Sequence, residues 1–282
     1  MLIQYILVNL PTNLTNIKYF VKKFYVIVLL LMVTCLGCQW QLRPSDSGSE
    51  KPMMEIERFD CVESMYLTTG DFAVLQQMKT EYPIQTRTLI EDVLCLGPVD
   101  TLDINTKFLI FFQDSVLQTL IKDVQKTFAN MDDINRQLGE AFGRLSKMIP
   151  EIEIPQVYSQ ISSLDESIIV GHKLLGVSLD KYLGEDYPLY QRFGYTERQR
   201  KMMTRKYIVP DCLSFYLLSL YHKEDMDTAT SKHRSIHMGR IQYVVNSALS
   251  QKFFNDDYVT LAEQYMKHHP QTTIDELLSM VD

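Results

Sequence analysis

The sequence predicts an α+β fold, mostly helical with a small antiparallel sheet. Two observations carry this reading. Apolar residues recur at helical spacing before residue 150 and again after residue 196. Between them, residues 154–190 (IPQVYSQISSLDESIIVGHKLLGVSLDKYLGEDYPLY) break that spacing with alternation and β-branched runs. Pro155 fixes an extended start, and Val157, Ser159 and Ile161 alternate with Gln156, Tyr158 and Gln160 as in a half-buried strand. Ser162 to Glu166 is a polar turn cluster, after which Ile168, Ile169 and Val170 resume extension until Gly171 and His172 break it. Leu174, Leu175, Val177 and Leu179 follow, so two or three antiparallel strands deliver the polar segment Ser178 to Asp186 to one end of the sheet.

From the start of the chain, Lys18, Lys22 and Lys23 precede an apolar run from Phe24 to Val33, then Thr34, Cys35, Leu36, Gly37 and Cys38. A charged segment, a short apolar core and a small residue before a cysteine predict a lipoprotein signal over residues 1–37 with lipidation at Cys38. The run is short for a spanning helix, which needs about 20 apolar residues. Cys35 stands where such signals usually carry Leu, and residues 1 to 17 are expected to precede the true start. A plain membrane anchor or an uncleaved signal is the alternative. Residues 38–55 are polar, contain Ser, Gly and Pro, and read as a tether, leaving residues 56–282 as the folded domain.

Within that domain Asp71 is placed to cap a helix bearing Phe72, Leu75 and Met78, which Tyr82 and Pro83 end. Asp114 caps a second, with Val116, Leu117, Leu120, Ile121 and Val124 on its apolar face, and Asp132 or Asp133 opens a third that runs to Pro150. Phe108 to Phe112 suits a short buried strand or the lead-in to the second helix. After the sheet, Thr196 and Gln199 form a capping box. Pro210 at a first helical position begins Asp211 to Tyr221, apolar on nearly every face and therefore central. Helices over residues 231–249 and 256–268 follow.

The 282 residues carry 46% hydrophobic and 22% charged side chains, an ordinary folded composition. A net charge of -7 argues against non-specific nucleic-acid binding, which requires a basic surface to displace phosphate counterions. Cys61, Cys95 and Cys212 are irregularly spaced and odd in number, so they read as buried thiols rather than disulfides or zinc ligands.

The strand block also carries a resemblance. Ile154-Pro155 with Val157-Tyr158, the run Leu175 to Asp180 with Tyr182, Leu183, Gly184, Asp186 and Tyr187, and the stretch Arg205 to Asp211 resemble the central block of the gliding motility lipoprotein GldB family of Bacteroidetes. The likeness covers roughly residues 59 to 243. It implies a lipid-anchored envelope protein that supports a motility or secretion-related assembly through protein partners; the lack of acidic residues in Gln39 to Leu42 after Cys38 favours the periplasmic face of the outer membrane over surface export. It places family-motif positions at Asp180, Tyr182, Asp186 and Asp211, with no role attached.

A helix bundle, then strands, then a buried helix is also similar to the arrangement of zinc-dependent peptidases, whose buried helix carries H-E-x-x-H. That motif is absent, so the expected fold is zincin-like in order only, without metal ligands or a cofactor. His233 and His237 have the i, i+4 spacing, but Arg234 stands in the place of the general base, and they read as two solvated helix histidines. His172 reads as a surface residue of a strand turn, and His268 and His269 as a helix C-terminus suited to the dipole. No G-x-S-x-G elbow, P-loop or dinucleotide fingerprint is present. Asp165, Glu166, Asp180, Glu185 and Asp186 concentrate carboxylates, and turn and cap chemistry accounts for them better than calcium or a glycosidase pair. The sequence therefore predicts a non-catalytic envelope lipoprotein, with a rearranged metallopeptidase-like hydrolase as the alternative.

Overall fold

A computed structural model describes residues 54–223 and 229–280. The signal, Cys38 and most of the tether lie outside them. The described residues belong to one compact unit.

The N-terminal half is helical: α1 (Phe59–Thr69), α2 (Phe72–Glu81), α3 (Pro83–Arg87) leading into a π-helical turn (Thr88–Val93), α4 (Ile104–Phe111), α5 (Ser115–Thr127) and α6 (Asp132–Met148). The expected caps are in place: Asp71 accepts from Ala73 N–H, and Asp114 from Val116 and Leu117 N–H. Asp132 and Asp133 are first-turn residues of α6 rather than caps, where their charge suits the positive helix end. Phe108 to Phe111 is helical, not a strand, and Phe112 caps its end. Tyr66 stacks on Phe108, which meets Phe112 edge to face, so burial against α1 decides a run that periodicity left open.

The sheet comprises β1 (Gln156–Gln160), β2 (Ile168–Gly171) and β3 (Leu174–Ser178) in the order β1-β3-β2. β2 and β3 form the expected antiparallel hairpin, turning at exposed His172. β1 pairs with β3 in parallel, Val157 opposite Leu175 and Ser159 opposite Val177, so the sheet is mixed rather than antiparallel throughout. The reason is topological: residues 161–167 carry the chain past the sheet, β2 forms the far edge, and β3 returns between them.

β1 is also buried along nearly its whole length, not on alternate residues. Its outer edge is closed by a parallel bridge to Glu57, with Glu57 N–H donating to Val157 O and Ser159 N–H to Glu57 O. Tyr158 packs edge-on against Phe59 of α1. At Gly176, a Cβ would stand 2.7 Å from the Tyr158 ring, so only glycine lets that tyrosine cross β3.

A 3₁₀ turn (Leu179–Tyr182), α7 (Pro188–Arg192), α8 (Glu197–Met202), a second 3₁₀ turn (Arg205–Tyr207) and α9 (Ile208–Leu220) follow. Thr196 and Gln199 close the capping box on α8. α9 begins at Ile208, placing Pro210 within the first turn, where its missing N–H leaves no helical acceptor unpaired. The helix is central, packed against α6, β2, β3 and α10 (Ser231–Leu249), with Leu213 and Leu217 fully buried. Phe215 and Leu220, however, remain 40% and 48% exposed, so one side of α9 reaches the surface. α11 (Asp257–His268) lies along α10, and α12 (Ile274–Ser279) closes the domain. Among the described residues, no helix is long and apolar enough to cross a membrane.

Two further expectations are corrected. His237 is buried inside α10 while His233 is exposed, because α10 packs on α9, α6 and α11 and turns its i+4 position inward. Of the three cysteines, Cys212 is buried, Cys61 half-buried and Cys95 exposed in a loop with a left-handed backbone. All three are free thiols.

Candidate functional site

The 3₁₀ turn after β3 sends neighbouring side chains in different directions, and this separates the residues that the strand block singles out. Asp180 points inward and is fully buried. Its carboxylate accepts from Ser162 N–H at 2.9 Å and Leu164 N–H at 2.5 Å, with Ser162 Oγ 3.3 Å away. Those bonds pin the loop between β1 and β2, where Ser163 and Leu164 both have positive φ. Burial pushes the Asp180 carboxyl above its ordinary range, and the backbone N–H groups pull it back. Asp180 is thus a loop anchor.

Tyr182 is buried on the other side of the turn, and its hydroxyl donates to Asp211 Oδ2 at 2.8 Å. Asp211 sits in the first turn of α9, where a carboxylate suits the helix N-terminus. Its pKa is nevertheless raised to about 7, because burial disfavours the charge more than the tyrosine bond favours it. Asp211 makes no ion pair among the described residues. Tyr182 is pushed well up by burial and by the adjoining carboxylate, so it is the donor of the pair.

Asp186 does not join them. It is exposed in the turn before α7, where Tyr187 N–H bonds to Gly184 O. Of the four family-motif positions, Tyr182 and Asp211 form one site, Asp180 supports the loop beside it, and Asp186 belongs to the surface.

Tyrosines around the turn hold it rigid. Tyr190 donates to Asp180 O at 2.7 Å and accepts from Leu183 N–H at 2.8 Å, and Tyr195 donates to Leu164 O at 2.6 Å. Lys181 Nζ reaches Asp165 O at 2.9 Å and Tyr195 Oη at 2.8 Å. The Tyr182–Asp211 pair forms the floor of a cavity of about 410 Å³ bounded by α8, α9 and α10. Sequence reasoning missed its walls, Met202 and Met203 at the end of α8 and Met238 and Gln242 on α10, because nothing in their local pattern links segments so far apart in the chain.

A second polar cluster went unread in α1. Asp60 and Glu63 are both fully buried. Asp60 takes a two-pronged bond from Arg58, with further bonds from Ser159 Oγ and Gln125 Nε2, and Glu63 Oε2 accepts from Ile161 N–H at 2.9 Å. Both acids stand on the helix face that also carries Phe59 and Leu67, and acids on an apolar face were the available signal. Among the described residues, no three His, Cys, Asp or Glu side chains converge as a metal site.

A family model described as gliding motility protein GldB matches residues 41–255. The chain belongs to the GldB family. The match takes in the strand block, the Tyr182–Asp211 pair and its cavity walls, and reaches back into the polar stretch after Cys38. No curated protein and no solved structure matches the chain. Membership in a GldB lipoprotein family associates the chain with gliding motility and with the cell envelope.

Proposed function

We propose that the chain is a non-catalytic lipoprotein, anchored by lipid on Cys38 in the outer membrane and facing the periplasm, whose folded domain supports a gliding-motility or secretion-related assembly through protein partners. Family membership supports the motility role. The observation that carries the non-catalytic reading is the engagement of Asp180, Tyr182 and Asp211 within the fold. Asp180 holds backbone N–H groups and Tyr182 holds Asp211, so these groups position structure rather than present a nucleophile beside its base. The basic segment, apolar run and Gly37-Cys38 pair support the lipid anchor. Gln39 to Leu42 lack acidic residues, which favours the periplasmic face over surface export.

Lipid attachment is tested by Cys38→Ser. That variant is expected to leave the membrane fraction or to keep an unprocessed signal, and to lose the mass of the acyl chains, whereas Cys35→Ser stays anchored. Unchanged fractionation and mass in Cys38→Ser would remove the anchor from the account. Protease treatment of intact cells addresses the orientation: survival of the domain agrees with the periplasmic face, and its degradation places it on the surface.

A further inference from the structure

The cavity above Tyr182 and Asp211 has walls and a floor of opposite chemistry. Met202, Met203, Phe215, Leu218 and Met238 supply the walls, and Met202 and Phe215 keep 42% and 40% of their surface in solvent. The apolar lining therefore continues out through the mouth, as it does where ligands enter. The volume of about 410 Å³ falls within the range of small-molecule sites.

Along the cavity the hydroxyls of Tyr182 and Ser214 and the Lys181 ammonium are already engaged. The Tyr182 hydroxyl donates to Asp211, the Ser214 hydroxyl to Pro210 O, and the Lys181 ammonium to the Asp165 carbonyl and Tyr195 hydroxyl. Asp211 is a carboxyl group with one hydroxyl partner and no ion pair among the described residues. Gln242 lines the same cavity, with its Oε1 buried and without a hydrogen-bond donor among the described residues. A buried carboxylate without a cation is unfavourable, and a bound cationic N–H donor relieves it.

We propose that this cavity binds an organic cation, a primary or secondary ammonium on an apolar body, with the ammonium donating to Asp211 and the body held among Met202, Phe215, Leu218 and Met238. The inference goes beyond the envelope role and stands on the cavity alone. Polarisable methionines and an aromatic ring suit such a guest: the thioethers adapt to its shape, and the Phe215 ring face attracts positive charge.

The geometry also fixes a pH dependence. The groups around Asp211 are Tyr182, Tyr207 ahead of α9 and its neighbour Cys212, with Lys181 and Tyr195 also lining the cavity, while α10 carries His237 next to Met238. Tyr182, Tyr207 and Cys212 are all raised by burial and stay neutral at pH 6 to 8. Asp211, at about 7, loses its proton across that interval. A cation binds the ionised form, so its affinity rises with pH, by about tenfold between pH 6 and 8 for one carboxyl of that pKa.

The test is isothermal titration calorimetry on the full chain in detergent, against a micelle blank, with 1-naphthylmethylamine, 1-naphthalenemethanol and 1-naphthoate as probes. The amine is expected to bind at least tenfold more tightly than the alcohol at pH 8, the carboxylate more weakly still, and the amine preference to shrink toward pH 6. Asp211→Asn should abolish the preference and flatten the pH profile, which also separates Asp211 from His237 as the titrating group. Should that variant misfold, Tyr182→Phe serves instead. Losing the hydroxyl that favours the carboxylate, it keeps the amine preference and moves the pH midpoint upward. Equal binding of amine and alcohol, no binding of the amine at pH 8, or a folded Asp211→Asn chain that still prefers the amine would overturn the proposal.

Discussion

Asp180→Ala tests whether the most deeply buried motif carboxylate is structural. In the wild type two backbone N–H groups, from Ser162 and Leu164, have Asp180 as their acceptor. Removing the acceptor from a buried donor costs roughly 1 to 3 kcal/mol each. The upper total of about 6 kcal/mol is reduced by two effects. The loop can open so that both donors reach water, releasing the strain of Ser163 and Leu164, which have φ of 60° and 68°. The substitution also removes a carboxylate that burial disfavours. A net loss of about 2 to 4 kcal/mol is expected for Asp180→Ala, against about 1 to 2 for Asp180→Asn, which keeps one side-chain acceptor. Urea unfolding at pH 7 measures both, and limited proteolysis of Asp180→Ala should begin within residues 161–167. A loss under about 0.5 kcal/mol for the alanine variant, or equal losses for the two, would show that the loop does not depend on this carboxylate.

Other substitutions examine the rest of the packing. Burial raises Glu63 well above its ordinary pKa, so its contribution to stability is fully present below the unfolded value near 4.5 and is lost as pH rises through the folded one. Glu63→Gln keeps an acceptor for Ile161 N–H, and should therefore be more stable than wild type at pH 7 and lose that advantage toward pH 4.5; thermal melts across this range that show a pH-independent difference would contradict it. At Gly239 an added Cβ would lie 2.5 Å from Tyr258 Cβ and 2.6 Å from its backbone carbon, so Gly239→Ala must part α10 from α11. A net cost of about 1 to 3 kcal/mol is expected in urea unfolding, despite the roughly 1 kcal/mol by which alanine favours a helix. Leu217→Ala, at a fully buried position of α9, should lose about 2 to 5 kcal/mol, and a loss under about 1 would move that helix out of the core.

Much of the fold was legible because its signals are local. Asp71, Asp114, Thr196 with Gln199, and Asp256 each cap a helix through bonds spanning two or three residues, and such bonds leave a mark in the sequence. The parallel pairing of β1 with β3 left none, since Val157 and Leu175 look the same in either strand direction. The burial of both faces of β1 depends on Glu57 and Phe59, far away in the chain. His237 shows the same limit: its spacing from His233 is visible, but which helix face is covered is decided by α6, α9 and α11. At the candidate site the resemblance marked Asp180, Tyr182, Asp186 and Asp211 alike. Packing alone separates a loop anchor, a bonded pair and a surface carboxylate, and only the folded chain brings Gln242 and Met238 above that pair.

The most direct measurement of the proposed role is complementation of a strain lacking this chain, scored by surface spreading or by protein secretion, with membrane fractionation in parallel. Wild type should restore the phenotype from the membrane fraction, as should a chain carrying His233→Ala, an exposed residue of α10 that the account gives no catalytic part. Cys38→Ser should fail even when its domain is folded and present at wild-type level, because the proposed role requires the domain at the membrane. Full restoration by an unanchored Cys38→Ser chain, or failure of a stable His233→Ala chain, would contradict the reading of this protein as a non-catalytic, lipid-anchored member of the GldB family.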